Sequence, residues 1–144
     1  MLALNVIASK YYDAGLRIFG YPCDQFKDHA PGTADEFIRT LYYIRPGDNY
    51  TAKFMLMNMV QVNGATEDHV YTYLKGECPI IPTYQMMVSA LHISWTPLKS
   101  SDIIWNFAKF LIDRNGIPYR RYYPTDFIEN MIDDIEFLLN EKEE

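Results

Sequence analysis

The chain has 144 residues, 49% hydrophobic and 15% aromatic, which is ample for a packed core and excludes the disordered class. The net charge is −6, with acidic residues gathered at Asp133, Asp134, Glu136, Glu141, Glu143 and Glu144. No nucleic-acid partner is expected from that balance, and no apolar run reaches the length of a bilayer span, so no membrane partner is expected either.

Residues 2–12 read as a helix, rich in Ala, Leu and Lys and stopped by Gly15. Leu16 to Tyr21 follows as a short strand that ends at Pro22. Thr33-Ala34-Asp35-Glu36 has the form of a capping box, and Phe37, Leu41 and Ile44 then keep helical spacing. Arg45-Pro46-Gly47-Asp48-Asn49 breaks that helix into a turn. Phe54 to Val62 is apolar, and its stripe of Met55, Met57 and Met59 reads as core filler. After the Asn63-Gly64 turn, Thr66 is expected to cap a short helix carrying Val70, Tyr73 and Leu74 and ending at Gly76. Residues 77–100, with Pro79, Pro82 and Pro97, read as a long surface excursion rather than a domain of their own. Phe107–Asp113 and Ile117–Tyr123 form a predicted hairpin across Arg114-Asn115-Gly116. Asp126 is expected to cap the last helix, whose inner stripe is Phe127, Met131, Ile135 and Leu138.

The order is helix, strand, helix, helix, strand, strand, helix, with no internal repeat and no linker, so a single domain over 1–144 is expected. Two cysteines, Cys23 and Cys78, are too few for a disulfide framework; one bridge, two free thiols or one reactive thiol would all fit. His29, His69 and His92 are scattered without ligand spacing, so no metal site is expected.

Three segments stand out together: Gly20-Tyr21-Pro22-Cys23-Asp24-Gln25-Phe26, Val62-Asn63-Gly64 and Trp105-Asn106-Phe107. With the spacing between them they resemble the glutathione peroxidase family, most of all its plasma and cytosolic tetrameric members. The likeness continues through Arg45-Pro46-Gly47, Tyr71-Thr72-Tyr73-Leu74-Lys75, Ile93-Ser94-Trp95-Thr96-Pro97 and Ile117-Pro118-Tyr119-Arg120-Arg121-Tyr122, and so covers essentially the whole chain. It implies an α/β, thioredoxin-like fold of the glutathione peroxidase type. The elements agree, since an α/β unit followed by a hairpin and a terminal helix fits the second half of that fold.

The chemistry of these residues is consistent with the resemblance. Peroxide reduction needs a chalcogen nucleophile that is ionised near neutral pH, and neutral donors aimed at it stabilise the anion. A glutamine amide, an indole N–H and an asparagine amide are such donors. The resemblance implies that Gln25, Trp105 and Asn106 surround the nucleophile. Taken singly, Gln25 reads as a solvated loop residue, Trp105 as core and Asn106 as a turn residue. The resemblance further implies that Arg45, Arg120 and Arg121 face the carboxylates of glutathione, a task suited to the paired donors of a guanidinium. Glutathione is then the reducing co-substrate and a hydroperoxide the oxidant, with no further cofactor, and the full-length protein is expected to be a homotetramer. The segment Tyr71–Pro79 leans toward the secreted type, with a cytoplasmic location as the alternative.

The nucleophile itself does not match. In the family, a selenocysteine or cysteine follows the first core strand and precedes the first helix, whereas this chain starts inside that helix. The expectation is therefore an N-terminally truncated sequence, lacking the first core strand and the nucleophile and inactive as written. An in-frame UGA read as stop, with Met1 as the restart, would produce it, and an upstream UGA or cysteine codon is the observation to seek. The alternative is a genuine short isoform acting as an inactive scaffold subunit. Cys23 and Cys78 are both expected to be structural thiols. Asp24 replaces a usual asparagine, and Lys27, His29 and Ala30 replace the usual glycine, glutamine and glutamate.

Overall fold

The computed structural model describes residues 1–27, 30, 32–78 and 93–141. Its described elements run α1 (Leu2–Tyr11), β1 (Phe19–Gly20), α2 (Ala34–Tyr43), β2 (Met55–Leu56), α3 (His69–Glu77), β3 (Lys109–Ile112), β4 (Pro118–Tyr122), a 3₁₀ turn (Ile128–Met131) and α4 (Ile132–Asn140). The backbone groups into two compact units, one of Met1–Pro22, Ala30–Met59 and Ile128–Glu144, the other of Cys23–His29 and Val60–Phe127.

In the first unit, α1 buries Ile7, Ala8 and Tyr11 on one face, and α4 buries Ile135 and Leu138. The Tyr11 hydroxyl donates to Glu136, and Lys10 lies 3.5 Å from the same carboxylate, so a polar clasp joins these two helices. Asn5 ties α1 to the segment before β2: its Oδ1 accepts from Lys53 N at 2.8 Å and its Nδ2 donates to Thr51 O at 2.8 Å. The capping box of α2 is formed as expected, with Thr33 Oγ1 accepting from Glu36 N and Glu36 returning to Thr33 N. β1 and β2 pair in parallel, Phe19 opposite Met55 and Gly20 opposite Leu56. Gly20 is required by close approach, because a Cβ there would come within 2.9 Å of the Phe54 ring.

β2 lies in a segment for which the sequence predicts no strand. The methionines around it are also not the core filler expected: Met55 and Met57 are 47% and 36% exposed, and Met59 is half-buried. In an extended segment successive side chains point to opposite sides. Leu56 takes the covered side and leaves Met55 and Met57 on the open one. The predicted strand Leu16–Tyr21 shortens to Phe19–Gly20.

In the second unit, Cys23, Phe26, Val62, Trp95 and Ile103 form a buried cluster, flanked by Val60, Tyr71, Ile93, Trp105, Ala108 and Phe110. α3 is capped by Asp68, whose carboxylate accepts from Val70 N at 2.9 Å, and not by Thr66; Gly76 lies inside the helix rather than past its end. Asp68 wins because an N-cap must precede the first helical residue, and that residue is His69. The hairpin is present as β3 and β4, antiparallel, with Phe110 opposite Arg121 and an irregularity between Leu111 and Ile112. Asp113 Oδ1 closes its turn by accepting from Asn115 N and Ile117 N. β3 starts at Lys109 rather than Phe107, because Phe107 has φ +65°, outside the extended region.

Asp126 does not cap the last helix: its Oδ2 accepts from Tyr123 N at 2.7 Å, and α4 begins only at Ile132. Met131, Ile135 and Leu138 are buried as predicted, whereas Phe127 is 74% exposed. Most of the predicted excursion, residues 79–92, lies outside the described residues.

Candidate active site

Gln25 sits in a short turn after Pro22-Cys23-Asp24 and is 5% exposed. This is not the solvated loop residue that its composition alone suggests. Its side-chain oxygen accepts from Val62 N at 2.9 Å and Asn63 N at 3.0 Å, while Nε2 donates to Asn63 O at 2.9 Å. A primary amide has two N–H donors, and one Nε2 hydrogen is spent on the Asn63 carbonyl. The turn is held from a further direction by Ser94, whose hydroxyl donates to Gln25 O at 3.2 Å. The charge of Asp24 is directed to Gln61, whose Nε2 donates to it at 2.8 Å.

Phe26 brings the two halves of the motif set together. Its ring lies 5.7 Å from Trp95, edge-on, and 6.1 Å from Trp105, tilted by 48°. Trp105 and Asn106 are half-buried at the turn that leads into β3. The Lys27 ammonium stands 5.8 Å from the centre of the Trp105 ring, within cation–π range. Lys27, just after the first motif segment, and Phe107, the last residue of the third, both have left-handed backbones, at φ +54° and +65°. Side chains larger than glycine adopt that region at a cost.

Behind these residues lies a buried polar network with no counterpart in the sequence reading. Asn63 is 1% exposed, and its side-chain amide pairs with Ile103 as a strand would: Nδ2 donates to Ile103 O and Oδ1 accepts from Ile103 N, both at 2.8 Å. Gly64 follows at φ +88°, where a Cβ would meet Trp95 at 3.0 Å. Lys75 is 4% exposed and donates to Val62 O at 2.9 Å, Asn63 Oδ1 at 3.2 Å, Glu67 at 2.6 Å and Asp102 at 3.4 Å. Asp102, 2% exposed, also accepts from Trp95 Nε1 at 2.9 Å and Lys99 N at 3.0 Å. Burial pushes the Glu67 carboxyl up, but hydrogen bonds from Lys75, Lys99 and Thr72 outweigh it and hold the group below its ordinary value.

The arginines are distributed. Arg121 NH1 and NH2 donate to Ser101 O at 2.9 Å and Asp102 O at 3.0 Å, so its fork holds the backbone just before the Trp105 segment. Arg120 is exposed on β4, 5.2 Å over the Tyr122 ring. Arg45 is exposed in the first unit, at the end of α2.

Both cysteines are free and buried. Burial raises the Cys23 thiol above its ordinary value, only partly opposed by hydrogen bonds from the Gln25 and Val62 backbone. Burial likewise raises Cys78, against a smaller lowering effect of Arg121. Neither environment favours a thiolate at neutral pH. Among the described residues no group of three or more His, Cys, Asp or Glu is placed to hold a metal ion, and no helix is long and apolar enough to cross a membrane.

Comparison with known proteins agrees with the motif set. The glutathione peroxidase family model matches residues 2–75. The chain is 40% identical over 132 residues to glutathione peroxidase 3 of Bos taurus, covering 92% of this chain and 58% of the bovine protein. It is 39% identical over 132 residues to the epididymal secretory glutathione peroxidase of Canis lupus familiaris, covering 92% and 59%. The chain thus spans a little under three fifths of the length of these relatives. Among solved structures, T. cruzi GPX1 superposes with a TM-score of 0.63 at 24% identity, over 96% of this chain and 69% of that one. At that identity the likeness speaks for the fold. The chain belongs to the glutathione peroxidase family and has its thioredoxin-like, α/β fold.

Proposed function

We propose that Gln25, Trp105 and Asn106 are the anion-stabilising donors of a site that reduces hydroperoxides with glutathione. The observation that carries this reading is the buried Gln25 amide, fixed by three hydrogen bonds to the 62–63 backbone beside Phe26, against which Trp105 packs. Neutral N–H groups held in a partly dry setting stabilise a chalcogen anion without neutralising it. In the overall reaction the O–O bond of the hydroperoxide breaks to give an alcohol and water. Two thiols supply the two electrons and two protons and leave as a disulfide. Arg120 is the proposed contact of the glutathione carboxylates, with Arg121 contributing the N–H groups not spent on residues 101 and 102. The names of the bovine and canine relatives support the peroxidase activity and the glutathione dependence, and the canine one a secreted location. A homotetramer is part of the same proposal.

The nucleophile is assigned to neither cysteine, because Cys23 and Cys78 are buried with raised thiols. The chain by itself is therefore a donor set without turnover, whether as part of a longer enzyme or as an inactive subunit. The test has two arms. In an NADPH-coupled peroxidase assay with hydrogen peroxide and cumene hydroperoxide, residues 1–144 are expected to run at the blank rate. Measurable turnover overturns the assignment of no nucleophile. In a titration with glutathione sulfonate, an unreactive anionic analogue, the Trp105 indole resonance is expected to move and Arg120→Ala to weaken the effect. A Trp105 resonance that ignores the analogue overturns glutathione as the co-substrate.

A further inference from the structure

We propose that Lys75, with Asn63 and Asp102, is the positioning unit of this site, a single buried ammonium that sets the Gln25 side and the Trp105-Asn106 side in register. The proposal rests on the reading of Gln25, Trp105 and Asn106 as the site. An ammonium has three N–H donors, yet Lys75 has carbonyl or carboxylate oxygens of Val62, Asn63, Glu67 and Asp102 within 3.4 Å, so at least one bond is shared. Lys75 and Lys99 together balance the carboxylates of Glu67 and Asp102. The contacts to Val62 O and Asn63 Oδ1 are to neutral oxygens and so are more than charge compensation, and apart from Glu67 the partners fall on two places.

The first place is residues 62–63. Their two backbone N–H groups and the Asn63 carbonyl hold the Gln25 amide. Lys75 holds the Val62 carbonyl and the Asn63 side chain from the other side. The second place is residues 102–103. Lys75 binds Asp102, and Asn63 binds Ile103 through both atoms of its amide. Trp105 follows two residues after Ile103. Asn63 thus touches Gln25 with its backbone and Ile103 with its side chain, and Lys75 joins Asn63 to Asp102.

An apolar residue of similar volume can replace a buried ion pair with little loss of stability. What it cannot do is fix distances between two loop segments, and donor sites need their groups held to within roughly 0.5 Å. The network accordingly acts through Gln25 and Trp105 and does not itself touch the reacting atoms.

Amide hydrogen exchange on the 144-residue chain tests this, using Lys75→Met and the charge-balanced double variant Lys75→Met with Asp102→Asn. The Val62, Asn63 and Ile103 amides are expected to exchange at least tenfold faster, relative to the β3–β4 ladder amides, than in the parent. The Gln25 side-chain amide and Trp105 indole resonances are expected to shift with them. A network that only stabilises the fold would speed every protected amide by one common factor, and that result overturns the proposal. Unchanged exchange at Val62, Asn63 and Ile103 overturns it as well. If Lys75→Met alone does not fold, the double variant, which leaves no unpaired buried charge, gives the same readout. The measurement needs neither turnover nor glutathione, so its failure is distinct from failure of the functional reading.

Discussion

Replacing Gln25 by leucine tests its role as anchor of the 62–63 backbone, apart from its proposed role as donor to the site. Three backbone groups lose their partner in the variant: Val62 N, Asn63 N and Asn63 O. Each buried orphan costs about 1–3 kcal/mol, so the gross loss is about 6 kcal/mol. A buried leucine side chain returns about 1.5–3 kcal/mol of apolar transfer, which leaves a net destabilisation of about 3 kcal/mol. For a chain of this length that corresponds to a fall in midpoint of about 10 °C. The assay is thermal and urea unfolding followed by far-UV circular dichroism, at several pH values.

Gln25→Glu sharpens the test. Its carboxylate still accepts from Val62 N and Asn63 N but has no hydrogen to give Asn63 O, and a charge is placed in a buried setting. Burial raises the folded pKa of that carboxyl above the unfolded value of about 4.3. Between those two values the folded state binds more protons than the unfolded one, so stability falls as pH rises through the window and recovers as pH is lowered. Once protonated, the introduced carboxyl also regains an O–H donor for Asn63 O. Gln25→Leu carries no such group, and its deficit is expected to be flat over the same window. A leucine variant within about 0.5 kcal/mol of the parent, or a glutamate variant with the parent's pH profile, would refute the anchoring argument.

Two further predictions concern neighbouring residues. Lys27→Gly should stabilise the chain by about 0.5–1 kcal/mol, because relief of the left-handed strain at φ +54° exceeds the added entropy of the unfolded chain; a lower urea midpoint would mean that the ammonium over Trp105 outweighs the strain. Glu67, held below its ordinary carboxyl value in the folded state, contributes stability at neutral pH that is lost as pH falls through the unfolded glutamate value toward the lower folded one. Glu67→Gln should therefore flatten the acid limb of the stability curve, and parallel limbs for parent and variant would contradict that.

What could be read from the sequence is what adjacent residues decide among themselves. The Thr33–Glu36 capping box and the Asn115-Gly116 reversal close within a few residues, and both form as expected. Errors arise where a local signal competes with a distant partner. Asp126 looks like a cap but turns back to Tyr123 N. β2 is only Met55–Leu56, and it exists because β1 lies beside it, a pairing across 36 residues that no periodicity announces. Met55 and Met57 read as core by hydrophobicity alone, although alternation along an extended segment places them on its open side.

The site divides along the same line. Gln25, Trp105 and Asn106 stand in short segments of specific composition, so a family resemblance can find them. Lys75 stands in the last turn of α3, where a lysine ordinarily reads as a solvated partner of the helix carbonyls. Nothing within its own helix marks it as buried. Its burial follows from residues 62–63, 12 to 13 positions before it, and Asp102, 27 positions after it, which close on the ammonium from different loops. The first of those loops also holds the Gln25 amide, and the second is bound to the first through Ile103 N, two residues before Trp105. A sequence comparison therefore finds Gln25, Trp105 and Asn106, the proposed donors to a chalcogen anion, while the network that joins their segments becomes visible only when the chain is folded.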